Sequence, residues 1–260
     1  MSEQGNDAPV LTEWVEYDSD GATVSAYIAR PPVQTPSPVM VLVHENPGLT
    51  EHRQDVTRRL ARLGYFSITP NLYSRLGGKS PVGVDDLDRK RQIALATQDP
   101  QVFGDIMNAL RYLEGRPEAD LSRAGLFGFC MGGSKGFYTA CHTDRFRCYV
   151  CFYGPVIARA ELQPNRQDLS YLPYAKDLTC PMQYHVGDKD TACPPPHVEL
   201  LRQELAKYSK PVEFFIYPGA DHAFHSDTEP RYHPQAAALA WERAVAFLDK
   251  QLQAAVPSGV

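Results

Sequence analysis

The sequence lacks any long run of basic residues. Lysine and arginine number 26 against 31 aspartates and glutamates, which gives the 260-residue chain a formal net charge of −5. Proteins that bind nucleic acid usually carry a clustered basic surface. We therefore expect no nucleic-acid partner. The net charge says little about a small substrate, because the local charge of a pocket can oppose the net sign.

Long apolar runs are also missing. No run approaches the roughly 20 residues that a membrane-spanning helix needs. The first residues, MSEQGNDAP, have neither the basic start nor the apolar stretch of a secretory signal peptide. We therefore expect a cytoplasmic protein without a membrane partner. In that compartment the six cysteines are expected to be reduced thiols rather than a disulfide framework.

Patterns typical of metal ligands are scarce. Cys148 and Cys151 form a C-x-x-C pattern, but they lie in one predicted strand, where residues three apart face opposite sides of a sheet. His222 and His225 are three residues apart, and no second convincing ligand pair accompanies them. We expect neither a metal ion nor another cofactor.

The chain does contain a regular alternation of strand and helix patterns. Strand-like runs occur at residues 12–17, 23–30, 39–44, 65–69, 124–129, 149–153, 182–186 and 213–217. Helical periodicity occurs at residues 54–63, 86–96, 102–113, 131–142, 197–208 and 234–253. Runs such as VMVLVH and YVCFY are typical of parallel strands buried on both faces. We predict one domain over residues 1–260, an α/β fold with a mostly parallel, doubly wound sheet flanked by helices and room for antiparallel strands at its N-terminal edge.

A glycine-flanked cysteine follows the strand GLFGF and precedes a predicted helix. The segment GFCMGG matches the nucleophile elbow G-x-S-x-G of α/β-hydrolases, with Cys130 in the serine position. The glycines relieve crowding at a strained turn, and the helix N-terminus favours a thiolate. This context predicts Cys130 as the nucleophile and the backbone amide of Met131 as an oxyanion donor. The alternatives are a buried structural cysteine and, much less favoured, Ser134 as the nucleophile.

Two later strand ends carry the polar residues that a catalytic triad needs. In hydrolases with this elbow the acid follows the nucleophile and the histidine comes last. The strand MQYHV ends in GDKDTACP, which offers Asp190 and, as the competing choice, Asp188; both could also be ordinary turn residues. The strand EFFIY ends in PGADHAF, which places His222 at the last triad position. We predict that Asp190 orients His222.

The loop after the strand VMVLVH reads HENPG. Such a loop usually supplies the second oxyanion amide, which we assign to the backbone of Asn46. Glu45 is unusual here, because a carboxylate at a strand end beside the elbow is unfavourable to bury without a partner. It is either a solvated loop residue or a group that acts on the thiol.

Four motifs in order carry a family resemblance. HENPG, GFCMGG, GDKDTACP and YPGADHAFHSD, with AAALAWERAVAFL in the final helix, resemble the dienelactone hydrolase family over residues 14–252. The resemblance implies a triad of Cys130, His222 and Asp190. It also implies that the Glu45 carboxylate holds or deprotonates the thiol as substrate arrives. The implied activity is hydrolysis of an ester or lactone, best known for 4-carboxymethylenebut-2-en-4-olide, which gives maleylacetate.

The substrate-binding positions depart from the family's pattern. Members active on dienelactone carry basic residues for the substrate carboxylate, one of them shortly after the triad histidine, where this chain has AFHS. We assign a second basic position to Arg89 or Arg91 and a further substrate contact to Phe224. The chain is thus predicted to be a cysteine-dependent hydrolase of a small ester or lactone. An esterase for an unrelated small ester and a thiol-dependent peptidase are the alternatives, and the sequence predicts no oligomeric state.

Overall fold

The computed structural model describes residues 9–78, 93, 97–157 and 170–253. Within them one sheet contains the strands β1 Leu11–Ser19, β2 Ala22–Arg30, β3 Ser37–Val43, β4 Phe66–Pro70, β5 Ala119–Phe129, β6 Cys148–Phe152, β7 Met182–Gly187 and β8 Val212–Tyr217. Their order across the sheet is β1-β2-β4-β3-β5-β6-β7-β8. The pairs β1–β2 and β2–β4 are antiparallel, and the remaining pairs are parallel. The prediction of a mostly parallel α/β fold with an antiparallel N-terminal edge is confirmed.

Burial along the strands explains their composition. Every residue of β3, β4, β6 and β7 is buried. Their apolar sequences fit this burial, because helices cover both faces of a central parallel sheet. The edge strand β1 instead alternates exposed and less exposed residues along most of its length, as expected of a strand with one face toward solvent.

The α-helices with described bounds are α1 Glu51–Arg62, α2 Asp99–Leu113, α3 Met131–His142, α4 Pro195–Lys207 and α5 Pro234–Leu248. The bounds of α3 are those predicted. Helix α1 begins before the predicted residue 54 because Thr50 caps it, with its side-chain oxygen accepting from the Arg53 N–H. Helices α2 and α4 also begin earlier than predicted, each with a proline in its first turn. Helix α5 continues as a π-helix over Asp249–Gln253. The helix predicted at residues 86–96 falls outside the described residues except for Ile93, which is helical.

The carboxyl ends of the parallel strands meet at one edge of the sheet. Val43 at the end of β3 pairs with Gly128 near the end of β5, and Gly187 at the end of β7 pairs with Tyr217 at the end of β8. These pairings place the loops after β3, β5, β7 and β8 along the same edge. Those loops carry the predicted triad and the predicted oxyanion loop.

A large cluster of buried apolar side chains surrounds the sheet. It includes the stacked rings of Phe127, Phe129 and Phe152 on β5 and β6. Close packing of this kind holds the strand end that leads into the predicted elbow. Among the described residues, no helix combines the length and apolar character that crossing a bilayer requires.

Candidate active site

Cys130 lies at a strained turn between β5 and α3. Its backbone angles are φ 50° and ψ −119°, and a non-glycine residue in such a region costs roughly 1–3 kcal/mol. The flanking glycines make the turn fit. A Cβ on Gly128 would overlap the Gly132 carbonyl, and a Cβ on Gly132 would overlap the carbonyls of Val43 and His44. The turn therefore places the cysteine against the end of β3.

A chain of hydrogen bonds joins the three residues of the predicted triad. His222 Nε2 is 3.0 Å from Cys130 Sγ, and His222 Nδ1 is 2.8 Å from Asp190 Oδ2. Asp190 is 1% exposed and His222 is 8% exposed, whereas Cys130 is partly open to solvent. Because the acid accepts the proton of Nδ1, the imidazole presents Nε2 to the sulfur. This is the arrangement that a general base for a thiol needs.

Asp190, and not Asp188, contacts the histidine. Asp190 Oδ1 accepts hydrogen bonds from the backbone N–H groups of Ala192 and Cys193, both at 2.8 Å. Asp188 is exposed, and its Oδ1 accepts a 2.7 Å bond from the Gly219 N–H, which ties the loop after β7 to the loop after β8. One oxygen of Asp190 is thus fixed by the backbone, and the other faces His222.

The charges at the site favour a protonated imidazole beside the sulfur. Burial lowers the pKa of His222, but the charge of Cys130 and the hydrogen bond with Asp190 outweigh burial and hold this pKa well above its ordinary value. An imidazolium at hydrogen-bonding distance stabilises a thiolate. The pair therefore suits proton exchange between the sulfur and the imidazole during the reaction.

The other five cysteines are buried free thiols: Cys141, Cys148, Cys151, Cys180 and Cys193. Burial raises the pKa of each of these thiols. A buried, protonated thiol is a poor nucleophile. The weaker candidate Ser134 is also engaged, because its hydroxyl donates a 2.5 Å hydrogen bond to the Pro155 carbonyl. Cys130 is therefore the candidate nucleophile that the geometry favours.

The loop after β3 lies beside the elbow. It is held there because the first turn of α3 contacts the carbonyls of Val43 and His44. Asn46 in this loop is exposed, and its carbonyl accepts a 2.9 Å hydrogen bond from the Tyr73 hydroxyl. Met131 is the first residue of α3, directly after the cysteine. The two residues predicted to supply oxyanion amides thus lie on the two segments that meet at the elbow.

Glu45 is buried and paired, and is not a solvated loop residue. Its Oε1 accepts a 2.6 Å hydrogen bond from Arg53, whose guanidinium lies 3.6 Å above the ring of Phe129. Glu45 is 7% exposed, and Arg53 is fully buried. Sequence reasoning missed Arg53, because the predicted helix began at residue 54. The available signal was the unfavourable burial of Glu45, which implies a cationic partner without identifying it.

Several buried polar atoms around this ion pair have no hydrogen-bond partner within the described part of the chain. They are Glu45 Oε2, Arg53 Nε and Arg53 Nη1. Each such atom costs roughly 1–3 kcal/mol. The Tyr153 hydroxyl lies beside the Arg53 guanidinium. Tyr153 also has a positive φ of 41° just after β6, and its ring centre lies 5.2 Å from that of His222. Backbone strain and unpaired polar groups are therefore concentrated near Cys130.

Two further histidines lie close to His222 in the sequence, and each has a structural environment rather than a place in the triad. His225 is buried among aromatic rings, and His233 caps α5. Among the described residues, the group whose donor atoms could hold a metal ion, all within 4.8 Å of one another, is Asp190, Cys193 and His222. An ion at that place would displace the hydrogen bond between acid and histidine. The expected absence of a metal cofactor stays a prediction.

Of the three predicted substrate-binding residues, the structure describes only Phe224. The Phe224 side chain is fully buried, and its ring centre lies 5.4 Å from that of Tyr153 and 5.2 Å from that of Tyr217. The structure therefore does not support a substrate contact by Phe224, because a fully buried ring offers no surface to a ligand. Arg89 and Arg91 lie outside the described residues, and their role stays a prediction.

A family model and relatives of 30% identity or more show the family of this chain. The model of the dienelactone hydrolase family matches residues 24–252. A Yersinia pestis protein provisionally named carboxymethylenebutenolidase is 33% identical over 241 residues, which is 92% of this chain and 88% of the relative. A Bradyrhizobium protein provisionally named 2-oxo-3-(5-oxofuran-2-ylidene)propanoate lactonase is 29% identical over 242 residues, 92% of this chain and 94% of the relative. The crystal structure of a provisionally named dienelactone hydrolase from Klebsiella pneumoniae has a TM-score of 0.85 at 30% identity, and the match covers 93% of this chain and 99% of that one.

Proposed function

The chain belongs to the dienelactone hydrolase family, and from that premise and the geometry of its site we propose that it hydrolyses an ester or lactone through a thioester on Cys130. The family makes the chain a carboxylic ester hydrolase. The observation that carries the thioester is the hydrogen-bonded chain from Cys130 Sγ through His222 to Asp190, with contacts of 3.0 and 2.8 Å.

Acylation begins when the Cys130 sulfur attacks the carbonyl carbon of the substrate. The new C–S bond turns the carbonyl oxygen into an oxyanion, which the backbone N–H groups of Met131 and Asn46 stabilise. The C–O bond to the leaving group then breaks, and His222 gives its proton to the departing oxygen. In a lactone that oxygen remains part of the acyl group, so nothing leaves the site at this stage.

Deacylation regenerates the thiolate. His222 is now neutral and takes a proton from a water molecule, which attacks the thioester carbonyl. The C–S bond breaks, the acid product leaves, and the imidazolium again faces a thiolate. Asp190 holds the imidazole through Nδ1 during both halves of the reaction.

We assign to Glu45 the task of modulating the thiol. Arg53 holds its Oε1, while Oε2 stays able to accept a proton. Burial raises the pKa of Tyr73, and the charges of Cys130 and Glu45 raise it further. The sulfur and the carboxylate are therefore both close enough to the Tyr73 hydroxyl to influence it electrostatically. A change in the charge of Glu45 should therefore alter the reactivity of the sulfur.

The nucleophile itself favours substrates with a good oxygen leaving group. The tetrahedral intermediate can expel either the thiolate or the substrate oxygen, and thiolates leave well, with an unperturbed thiol pKa of about 8.5. A simple alkoxide is far more basic, so the intermediate of an alkyl ester mostly collapses backward. Enolates and phenolates compete with the thiolate. Enol lactones and aryl esters are therefore the proposed substrate class, and the name of the Bradyrhizobium relative describes an enol lactone.

The test is Cys130→Ala with Ser134→Ala as the matched control. Turnover of p-nitrophenyl acetate should be lost in the first variant and retained in the second, and mass spectrometry of a quenched reaction should find the acyl group on the peptide that carries Cys130. Turnover that survives Cys130→Ala, or an acyl group on Ser134, would contradict the proposal. Cleavage of a peptide p-nitroanilide without ester turnover would favour the peptidase alternative.

Three broader proposals accompany the reaction. We propose a single domain over residues 1–260, a cytoplasmic location and no nucleic-acid partner; the net charge of −5 supports the last of these.

A further inference from the structure

Two fully buried side chains hold the loop that carries Asn46. The rings of His44 and Tyr73 lie 5.1 Å apart, and neither residue belongs to the proposed triad. His44 Nδ1 is 2.7 Å from the Glu45 carbonyl oxygen, and the Tyr73 hydroxyl donates a 2.9 Å hydrogen bond to the Asn46 carbonyl oxygen. Two consecutive carbonyls of the loop therefore accept hydrogen bonds from side chains, and the Glu45 carbonyl accepts a further 2.8 Å bond from the Gly48 N–H.

The hydrogen-bond pattern defines the tautomer of His44. Its Nε2 lies 3.0 Å from the backbone N–H of Leu72, which can only donate, so Nε2 carries no proton. The proton of the neutral ring is then on Nδ1, which donates to the Glu45 carbonyl. Burial lowers the pKa of His44 to about 4, so the ring stays neutral at neutral pH.

The Glu45 carbonyl and the Asn46 N–H belong to one peptide group. Because a peptide is planar, fixing the direction of its C=O also fixes the direction of its N–H. A hydrogen bond to the carbonyl oxygen further polarises the group and makes the N–H a stronger donor. The bond from Tyr73 to the next carbonyl restrains the other side of Asn46.

Core packing alone does not account for polar side chains at these positions. An apolar residue would fill either place without the desolvation of an imidazole or a phenol. The loop also has to keep its position against α3, where a Cβ on Gly132 would overlap the carbonyls of Val43 and His44. The hydrogen bonds of His44 and Tyr73 help to hold that position, together with the backbone bond from the Gly48 N–H to the Glu45 carbonyl.

We propose that His44 and Tyr73 are positioning residues for the oxyanion hole, which direct the backbone N–H of Asn46 at the developing oxyanion without touching the substrate. The inference rests on the proposed function, since it requires acyl transfer at Cys130.

Four variants separate this role from a simple loss of packing. Tyr73→Phe removes only the hydroxyl. Tyr17→Phe is its matched control. Tyr17 lies on the edge strand β1, and its buried hydroxyl also donates a hydrogen bond to a backbone carbonyl, that of Asp105, at 2.8 Å. His44→Asn keeps an N–H donor near the position of Nδ1. His44→Gln keeps an acceptor near the position of Nε2 and loses the donor to Glu45.

Each variant is measured in two reactions of the same sulfur. Turnover of p-nitrophenyl acetate needs the oxyanion hole, whereas alkylation of Cys130 by iodoacetamide displaces iodide from a saturated carbon and forms no oxyanion. We expect Tyr73→Phe and His44→Gln to lower kcat about 10- to 100-fold, somewhat less than loss of a whole oxyanion donor, with KM and the alkylation rate within about twofold of the wild type. His44→Asn should retain more of kcat than His44→Gln.

Three results would overturn the proposal. One is a loss of kcat in Tyr73→Phe no larger than in Tyr17→Phe. Another is a fall in alkylation parallel to the fall in turnover, since the residues would then act on the sulfur or on folding. The third is an equal loss of kcat in His44→Asn and His44→Gln, which would mean that the hydrogen bond from His44 to the Glu45 carbonyl does not affect turnover. Failure of the proposed function is distinguishable, because turnover would then survive Cys130→Ala.

Discussion

The Arg53→Met substitution removes the cationic partner of Glu45 while keeping an unbranched side chain in the same buried space. Arg53 is fully buried and Glu45 almost so, which means that water cannot replace the lost partner. Removing one member of a buried ion pair typically costs about 3–5 kcal/mol, because an uncompensated charge remains.

Two properties of Arg53 change this expected cost of breaking the ion pair. Its Nε and Nη1 groups have no hydrogen-bond partner within the described residues, and methionine removes both of these penalties, roughly 1–3 kcal/mol each. The contact of the guanidinium with the Phe129 ring, at 3.6 Å, is lost, although a thioether regains part of it. These opposing effects leave a net loss in the free energy of unfolding well below 3–5 kcal/mol, about 1 kcal/mol at the middle of these ranges.

The loss should depend on pH. An unpaired buried carboxylate takes up a proton more readily than a solvated one, and the protonated form carries no charge to compensate. Folding of the variant is then linked to proton uptake, so its stability relative to the wild type rises as pH falls. The gap between the two proteins should therefore be smaller at about pH 5.5 than at pH 8.

Urea unfolding at both pH values, with the Arg53→Met and Glu45→Gln single variants and the double variant, measures these effects. The double variant should be about as stable as the wild type or more stable, because it contains neither the uncompensated charge nor the unpaired guanidinium groups. Arg202→Met breaks an exposed pair with Glu199 on α4 and should change nothing measurable. An unchanged midpoint for Arg53→Met at both pH values would refute the reasoning.

Three further predictions concern the reaction. Asp190→Asn should lower kcat by about 10⁴-fold, with Asp188→Asn nearly neutral, and the reverse order in p-nitrophenyl acetate turnover would reject the assignment. Because Asp190 helps to hold the pKa of His222 above its ordinary value, Asp190→Asn should also slow iodoacetamide alkylation of Cys130 at neutral pH. Glu45→Gln should shift the pH profiles of acylation and of alkylation, and two unchanged profiles would leave Glu45 without a role in thiol reactivity. The values of kcat/KM should favour an enol lactone and an aryl acetate over an ethyl ester of matched size; equal or faster ethyl ester turnover would contradict the leaving-group argument.

The sequence predicts that Cys130, Asp190 and His222 lie close together, because each residue follows a buried apolar strand. The carboxyl ends of parallel strands share one edge of a sheet, so the order of the three residues along the chain is enough to bring them together. The choice between Asp188 and Asp190 is harder, since both follow β7. It depends on a turn whose geometry is held by the bonds from the Ala192 and Cys193 amides.

The partners of the oxyanion loop are not predictable in the same way. Arg53 lies on the amphipathic helix α1, where a charged residue ordinarily indicates the solvent-facing side. Tyr73 follows β4 and reaches Asn46 because β4 and β3 are parallel neighbours in the sheet. Contacts of this kind depend on which strands are adjacent and on their register, and hydrophobic periodicity gives neither.

Backbone strain and unpaired polar groups are concentrated around Cys130 and Arg53. Cys130 and Tyr153 both have positive φ, and they follow the paired strands β5 and β6. Each is anchored to the next strand, Cys130 N–H to the Phe152 carbonyl at 2.9 Å and Tyr153 N–H to the His185 carbonyl at 2.7 Å. The buried sheet can sustain this strain, together with the unpaired groups around Arg53, because its central strands are covered on both faces. Substitutions that relieve these groups without leaving a buried charge unpaired should therefore raise stability while lowering turnover, whereas substitutions at the β1 edge should change stability alone.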